Sequence, residues 1–266
     1  MLQRCSAIVL QEKGDGMRTI SILNFKGGVG KSTLATNLSY ALSDTGRVLV
    51  IDCDMQGNAT TTLLDEIDGP TLTHVLTGRT QLADAIHKTR HNLSIVPSDS
   101  EIHTAAAYIV SQGPRAYVAL KRALKTLDEQ YDYVIFDHSP SYSAVSHAAL
   151  LASEEMLIPC ELTSWSVDGI VTLTTTLENT LVDHELRLAG IVPMKLNRSI
   201  RMHTAYLDDL RAKFGAHILT PVRQDTAVPY AQSQRQTVFE YDAGSKAAAD
   251  FAVIANEVRA REAVTA

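Results

Sequence analysis

Residues 24–33 read Asn-Phe-Lys-Gly-Gly-Val-Gly-Lys-Ser-Thr, and this stretch decides the fold. In the general P-loop pattern a glycine and four further residues precede Gly-Lys-Ser/Thr, so that backbone N–H groups can surround phosphate oxygens. Lys26 stands here where that first glycine is usual. The stretch therefore predicts a phosphate-binding loop with one lysine more than the pattern needs.

The second half of the loop carries the side chains expected to bind a nucleotide. Lys31 is expected to contact the β and γ phosphates, and the Ser32 hydroxyl to bind Mg²⁺. Residues 17–24 are apolar and β-branched as in a buried strand, and residues 31–43 have small or apolar side chains at helical spacing. A strand, a glycine-rich turn and a helix N-terminus together form an anion site. The predicted nucleotide-binding residues of the loop are Gly27, Gly28, Val29, Gly30, Lys31, Ser32 and Thr33.

Strand-like and helix-like stretches alternate along the rest of the chain. The predicted strands are residues 48–52, 93–97, 131–137, 156–160, 188–194 and 217–219, and the predicted helices are residues 114–129, 142–152, 166–184, 201–214 and 245–261. This alternation predicts βαβ units in an α/β fold, with a mostly parallel twisted β-sheet and helices on both of its faces. Together with the loop, the fold class is a single-domain P-loop NTPase.

The composition is that of an ordinary soluble globular protein. The 266 residues are 45% hydrophobic and 20% charged, without a run of eighteen apolar residues that would suggest a membrane span. The three cysteines are scattered and lack metal-ligand spacing, so we expect reduced thiols in a cytoplasmic protein. No internal repeat or Pro/Ser-rich linker occurs. We interpret residues 17–266 as one domain and residues 1–16 as a flexible extension, because chain ends are poorly ordered unless something ties them down.

The charge is unevenly distributed along the chain. The net charge is −6, which argues against a globally basic nucleic-acid binder. Residues 187–235 nevertheless contain eight Lys or Arg against three acids, a net charge of +5. This segment is therefore the candidate surface for a polyanion.

Three carboxylates stand at predicted strand ends, where ligands of such sheets bind. Asp137 ends an apolar strand, and an acid at that position usually holds Mg²⁺ through its water shell. Asp54 lies just beyond another strand and could orient or deprotonate an attacking water. Asp52, at the end of that strand, is expected either to join the Mg²⁺ shell or to order the loop.

Four segments resemble one known family. They are the early-lysine loop KGGVGKST (residues 26–33), the segment Asp52-Cys-Asp-Met-Gln-Gly-Asn-Ala-Thr60, the strand and turn YDYVIFDHSPS (residues 131–141) and Tyr241-Asp-Ala-Gly-Ser-Lys-Ala247. They resemble the deviant Walker A ATPases of the ParA/MinD group, above all the ParA-type DNA partition ATPases. The resemblance extends over about residues 17–260.

The resemblance implies how the site works. Two subunits would enclose two ATP molecules, and Lys26 would reach the nucleotide of the other subunit, as an arginine finger does in other NTPases. Lys26, Lys31 and Asp54 would be the catalytic residues, with Asp54 as the hydrolytic acid and Asp137 as the Walker B acid. The resemblance also implies a slow ATPase that needs ATP and Mg²⁺, forms a homodimer on ATP binding and acts on the nucleoid. A ParB-like centromere-binding protein would stimulate its hydrolysis.

The basic segment is given two roles by the same resemblance. Asn197 would contact adenine, and four arginines would bind DNA without sequence preference. A patch of this kind, doubled in a dimer, would give strongly salt-dependent binding. The alternative is that these arginines belong to an ordinary solvated surface. The DNA-binding candidates are Arg198, Arg201, Arg223 and Arg235.

Two positions depart from the family pattern. Met55 replaces a usual proline, which removes a restriction on backbone φ in the first switch loop. His138-Ser139 replaces a residue and a proline after Asp137, which predicts a looser second switch. We interpret His138 as a loop residue rather than a catalytic one, because phosphoryl transfer is mainly positioning and needs no imidazole.

Alternative functions remain open at this point. The same fold and site serve positioning ATPases for a protein cargo, which the sequence does not exclude. A MinD-like membrane-bound division regulator would need a basic amphipathic C-terminal helix with bulky apolar residues, and residues 256–266 lack aromatics and Leu. A reductase of the nitrogenase iron-protein type would need cysteines for a shared cluster, which Cys5, Cys53 and Cys160 do not provide. The leading hypothesis is a DNA segregation ATPase.

Overall fold

The computed structural model describes residues 16–90, 92–181 and 183–263, so that the predicted N-terminal extension, apart from Gly16, lies outside the described residues. The strands are β1 (Arg18–Ile22), β2 (Val48–Asp52), β3 (His87–Arg90), β4 (Leu93–Val96), β5 (Tyr133–Asp137), β6 (Glu155–Glu161) and β7 (Arg187–Met194). The α-helices are α1 (Lys31–Ser43), α2 (Asn58–Leu63), α3 (Leu72–Leu76), α4 (Ile102–Gln112), α5 (Pro114–Tyr117), α6 (Ala119–Leu124), α7 (Ala144–Leu151), α8 (Ser166–Thr180), α9 (Arg201–Phe214), α10 (Ala227–Ser233), α11 (Val238–Asp242) and α12 (Lys246–Ala263). Short 3₁₀ turns span Leu82–Ala85, Lys125–Leu127 and Gly215–His217.

The seven strands form one sheet in the order β3-β4-β2-β5-β1-β6-β7. All neighbouring pairs are parallel except β3 and β4, since the short edge strand β3 runs antiparallel. Every residue of β1, β2, β4 and β5 is buried, as expected for parallel strands covered on both faces. The predicted α/β fold with a mostly parallel sheet is confirmed.

Helices cover both faces of the sheet. On one face, α1, α2, α10, α11 and α12 pack against the sheet around fully buried side chains such as Leu38 and Phe251. On the other face, α3, α4, α6 and α7 pack over β2 and β5, while α8 and α9 pack over β6 and β7. Among the described helices, none combines the length and hydrophobicity needed to cross a membrane.

Two predicted elements are wrong in part. The predicted helix over residues 114–129 is interrupted at Val118, whose φ of −96° and ψ of 3° leave the helical region, and it ends in a 3₁₀ turn. The predicted strand over residues 217–219 makes only an isolated bridge from Ile218 to Ile191 of β7. Pro221 has no N–H to continue a ladder, so the segment follows β7 through separate bonds and then leaves it.

Three adjacent strands deliver their loops to the same edge of the sheet. In the register of β2 and β5, Asp52 lies opposite Asp137, and Asp137 lies opposite Ile22 of β1 on its other side. The P-loop follows β1 and leads directly into α1. The predicted site residues of all three loops are therefore neighbours in space.

A buried ion cluster connects the amino-terminal ends of three strands, opposite the ends that carry the site loops. Glu155, which opens β6, accepts two hydrogen bonds from the Arg18 guanidinium, at 3.0 and 2.7 Å, and one from Arg187 at 3.0 Å. Arg18 also donates to the carbonyl of Val258 in α12 at 2.8 Å. Arg18 and Glu155 are only 3% and 4% exposed, so neither charge has water as an alternative partner. The cluster connects β1, β6, β7 and α12.

Replacing Glu155 by Gln should therefore lower the free energy of unfolding by about 3 kcal/mol, because two guanidinium groups lose their buried counter-charge. Equilibrium urea unfolding would measure this loss. The matched control is Asp132→Asn, which breaks the exposed Arg47–Asp132 pair and should cost less than about 1 kcal/mol. Equal losses in the two variants would contradict the structural role given to the buried cluster.

Candidate active site

The P-loop is shaped by glycines with left-handed backbone. Gly28 and Gly30 have φ of 74° and 96°, which other residues adopt only with strain. Gly30 caps α1 and, as a glycine, offers no side chain to accept a hydrogen bond from the first turn of this helix. A Cβ at Gly30 would lie 2.9 Å from Cε of Met194, so the loop also packs closely against the end of β7. The free N–H groups of the α1 terminus are thus open toward the loop, as an anion site requires.

The two lysines of the loop have different environments. Lys31 is 6% exposed and its Nζ donates to the carbonyl of Lys26 at 3.2 Å, which folds it under the loop. Burial lowers the pKa of Lys31, and the charges of Asp137 and Asp54 oppose that shift. The Lys26 side chain is 55% exposed and its Nζ lies 3.2 Å from Oε2 of Glu161. Lys31 therefore lies inside the loop of its own subunit, whereas Lys26 lies at the surface.

Asp52 orders the loop that follows β2. Its Oδ1 accepts a hydrogen bond from the Asp54 N–H at 3.0 Å, and its Oδ2 accepts from the N–H and hydroxyl of Thr60 at 2.8 and 2.7 Å. Burial raises the pKa of Asp52 to about 6, although these hydrogen bonds lower it. Of the two roles predicted for Asp52, the contacts support loop ordering.

Asp54 lies on this ordered loop, at the wall of the cavity beside the P-loop. It is 6% exposed, and its Oδ1 accepts from the Gln56 N–H at 3.0 Å. Met55, the next residue, is 52% exposed and so projects away from the packed core. The arrangement holds one carboxylate at the cavity wall and leaves the neighbouring switch residue in solvent.

Asp137 has acceptor capacity that the described residues do not use. Both carboxylate oxygens are buried, and neither accepts a hydrogen bond of normal geometry from a described residue. Burial raises the pKa of Asp137 well above its usual range and the charge of Asp52 adds to the rise, while the nearby Ser32 hydroxyl opposes it. A buried carboxylate with so little hydrogen bonding fits the shell of a hard cation, which the Ser32 hydroxyl would also join. The described parts of the chain contain no cluster of three or more His, Cys, Asp or Glu side chains suited to a metal. The fit is therefore to a Mg²⁺ that water and phosphates hold for the most part.

A cavity of about 840 Å³ opens beside the P-loop, the size of a nucleotide site. One wall is the loop itself with Asp54. The opposite wall comes from the end of β7 and residues 222–232, where Gln232 Nε2 donates to the Thr33 hydroxyl at 2.8 Å. Asn197 does not line the cavity, but its Nδ2 donates to Oε1 of Gln224, which does, at 3.1 Å. Wall residues that were not predicted as site residues include Met194, Lys195, Gln224, Asp225 and Gln232.

The four arginines predicted to bind DNA differ in their surroundings. Arg198 and Arg201 are exposed, just before α9 and at its first residue. Arg235 is also exposed. Arg223 lines the cavity, and its guanidinium donates to both carboxylate oxygens of Asp250 at 2.7 to 3.0 Å. Arg198 and Arg201 are thus adjacent on the surface, and Arg223 is held beside the nucleotide cavity.

His138 lies beneath the site as a buried residue. It is 0% exposed, its Nε2 lies 2.8 Å from Oγ of Ser21 in β1, and that hydroxyl lies 2.7 Å from Oγ of Ser153. Burial, with a smaller effect of the Lys31 charge, lowers the pKa of His138 to about 3. The imidazole is therefore neutral at physiological pH and faces the core instead of the cavity.

The burial of His138 predicts a loss of stability in mild acid. An unfolded histidine takes up a proton below about pH 6.5, whereas the folded one stays neutral down to about pH 3. The stability that His138 contributes is therefore complete above pH 6.5 and declines as the pH falls. Between pH 7.5 and 5.5 the free energy of unfolding should fall by about 1.4 kcal/mol on this account.

His138→Gln should remove that part of the pH dependence, measured as the slope of unfolding free energy against pH. His103→Gln, at an exposed histidine, is the control and should leave the slope as it is. Identical slopes in the wild type and His138→Gln would show that His138 is not buried as a neutral group.

The sequence is similar to those of known proteins. Residues 17–188 match the AAA_31 family, described as an AAA domain. The chain is 33% identical to the cell division protein PomZ of Myxococcus xanthus, over 92% of this chain and 79% of PomZ. It is 32% identical to the chromosome partitioning protein ParA of Caulobacter vibrioides, over 92% of this chain and 95% of that protein.

The fold is similar to a solved structure of the septum site-determining protein MinD of Pyrococcus horikoshii in complex with Mg-ADP. The TM-score is 0.78 at 25% identity, over 94% of this chain and 99% of that chain. The family model, the sequence relatives and the fold thus agree with one another. This chain belongs to the ParA/MinD type of P-loop ATPases.

Proposed function

We propose that this protein is an ATP-dependent DNA segregation ATPase with ATP and Mg²⁺ as its cofactors. ATP joins two subunits into a dimer that binds nucleoid DNA without sequence preference. A ParB-like centromere-binding partner stimulates hydrolysis, and the subunits then leave the DNA. The observation that carries this proposal is the contrast between the two loop lysines, one folded under its own loop and the other at the surface.

That contrast supports a role for each lysine at a different nucleotide. Lys31 is buried where it can meet the phosphates in its own loop. Lys26, whose side chain is 55% exposed on the same loop, lies where it can meet phosphates that a second subunit presents. A cation supplied by the partner stabilises the phosphoryl group only after docking, so hydrolysis depends on the dimer.

The carboxylates have separate roles in the proposed reaction. Asp54 holds or deprotonates the attacking water, and Asp52 fixes the loop that positions it. Ser32 and Asp137 hold the Mg²⁺ shell. Bound Mg²⁺ supplies positive charge against the transferring phosphoryl group. A lone subunit hydrolyses little ATP in this arrangement, because it receives no lysine from a partner.

The exposed basic residues at the start of α9 supply the DNA surface. Arg198 and Arg201 are separated by two residues and both face solvent, with Arg211 and Lys213 exposed further along the helix. A dimer doubles this patch, and phosphate contacts add through released counterions. ATP binding thereby raises DNA affinity without any change in the patch itself.

A second candidate function is positioning of a protein cargo on the nucleoid. It is favoured by the similarity of this chain to the maintenance of carboxysome distribution protein A of Gloeothece citriformis, 38% identical over 61% of this chain and 62% of that protein. Membrane binding of the MinD kind has less support here. Phe251, Ile254 and Val258 of α12 are buried in the core, so this helix does not present its apolar face to a bilayer.

Sedimentation velocity with and without nonspecific duplex DNA tests the proposal. Without nucleotide, or with ADP, the protein should sediment as a monomer and leave the DNA free. With ATP it should sediment as a dimer and carry the DNA. Asp54→Ala should hold the ATP dimer on DNA because hydrolysis no longer releases it. Binding should fall at least about tenfold when salt rises from 50 to 200 mM.

Charge-reversal variants separate the DNA surface from the dimer. Arg198→Glu combined with Arg201→Glu should abolish DNA binding while the ATP dimer remains. Arg122→Glu, at an exposed arginine of α6, is the matched control and should leave both intact. An ATP dimer that ignores DNA at 50 mM salt, or DNA binding that needs no ATP, would refute the proposed switch.

A further inference from the structure

Glu161 pairs with two lysines, Lys26 and Lys195, at the mouth of the site. This residue ends β6, and its Oε2 lies 3.2 Å from Nζ of Lys26 while its Oε1 lies 2.6 Å from Nζ of Lys195. Lys195 Nζ also donates to the carbonyl of Gly28 in the P-loop at 2.8 Å. A single carboxylate therefore links the loop to the residue that follows β7.

The charge state of this group follows from its surroundings. Burial acts to raise the pKa of Glu161, but the hydrogen bonds from Lys195 and Lys26 outweigh it and the pKa is lowered. Glu161 is thus an anion between two ammonium groups. Lys195 has a left-handed backbone with φ of 59°, an uncommon conformation for a residue with a side chain. The surrounding structure holds it at this position.

We propose that Glu161 is the positioning residue of Lys26. It holds the ammonium group in its own subunit until a nucleotide-bound partner docks, and Lys195 keeps the carboxylate paired after Lys26 has left. This inference rests on the proposed function, in which Lys26 serves the ATP of the other subunit. It adds a residue that sets how readily the dimer forms.

The inference depends on competition between two anions for the Lys26 ammonium group. The Glu161 carboxylate and a triphosphate both attract the Lys26 ammonium, and Lys26 meets only one of them at a time. The pair is partly exposed, with 55% and 26% of its side chains accessible, so it shifts an equilibrium by only about two- to fivefold. A triphosphate carries several negative charges and therefore displaces Glu161 from Lys26. Breaking the Lys26–Glu161 pair nevertheless weakens the dimer by that same factor, about two- to fivefold.

The distances decide which lysine leaves. Lys195 is the nearer partner, at 2.6 Å against 3.2 Å for Lys26, and its second bond to Gly28 anchors it. When Lys26 moves to the partner, Lys195 still neutralises Glu161. Without Lys195, a bare carboxylate would remain close to the incoming phosphates and repel them.

Glu161→Gln tests the inference, because glutamine keeps the size and loses the charge. With a nonhydrolysable ATP analogue, the dimer dissociation constant from sedimentation should fall about two- to fivefold. Lys195→Gln should raise it by a similar factor, because Lys26 is then the sole counter-charge of Glu161. Asp168→Asn, at an exposed acid in the first turn of α8, is the control and should change nothing.

A second measurement reports on Lys26 directly. In nucleotide-free protein, an amine-acylating reagent followed by mass spectrometry should modify Lys26 faster in Glu161→Gln than in the wild type. Lys125, exposed and remote in sequence, gives the internal reference. A general loosening of the fold would raise the acylation rates of Lys26 and Lys125 alike, whereas release of Lys26 from Glu161 raises only the rate at Lys26.

The outcomes separate this inference from the proposed function. If Lys26→Ala dimerises on ATP as well as the wild type, the trans role of Lys26 and the proposed function both fail. If Lys26→Ala loses the dimer but Glu161→Gln dimerises no better than the wild type, only the role of Glu161 is overturned. Unchanged acylation of Lys26 in Glu161→Gln overturns it as well.

Discussion

Two carboxylates, Asp52 and Asp137, are buried side by side at the ends of neighbouring parallel strands, and the rest of the site depends on how their charge is balanced. Burial raises the pKa of both groups, and their proximity adds to the effect for Asp137. The two buried carboxylates differ in how the surrounding residues meet them. Asp52 accepts three hydrogen bonds from the loop it orders, whereas the oxygens of Asp137 accept none of normal geometry from the described residues and have only the Ser32 hydroxyl nearby. One acid is thereby structural, and the other fits a cation.

Nearby carboxylates also distinguish the two lysines of the P-loop. Lys31 lies in the field of Asp137 and Asp54, which keeps a buried ammonium next to an anion site. Lys26 has no such carboxylate within the loop and pairs instead with Glu161 at the rim. We infer that one lysine is committed to its own nucleotide and the other is available to a partner. ATP then acts both as substrate and as the contact that joins two subunits.

Much of this arrangement could be predicted from the sequence. The glycine spacing and the apolar strands that end in acids depend on local pattern, and they predicted the parallel sheet and the strand-end loops. Contacts between distant segments could not be predicted in this way. Glu161 and Lys195 are 34 residues apart and meet only because β6 and β7 are neighbours. The family resemblance implies that Arg223 binds DNA, but its pairing with Asp250 of α12 depends on the tertiary fold. His138, interpreted as a loop residue, is buried and meets Ser21 of β1, which is 117 residues away in the sequence.

A mixing experiment tests most directly whether Lys26 acts on the nucleotide of the other subunit. Lys26→Ala and Asp54→Ala should each be inactive alone, since each homodimer lacks an essential group in both sites. In a mixed dimer, the Lys26→Ala subunit keeps its own Asp54 and receives Lys26 from its partner, so one site is complete. If the two variants pair at random, half of the dimers are mixed and half of their sites work, so an equimolar mixture should recover up to about a quarter of the wild-type ATPase rate. A mixture as inactive as its components would contradict the account.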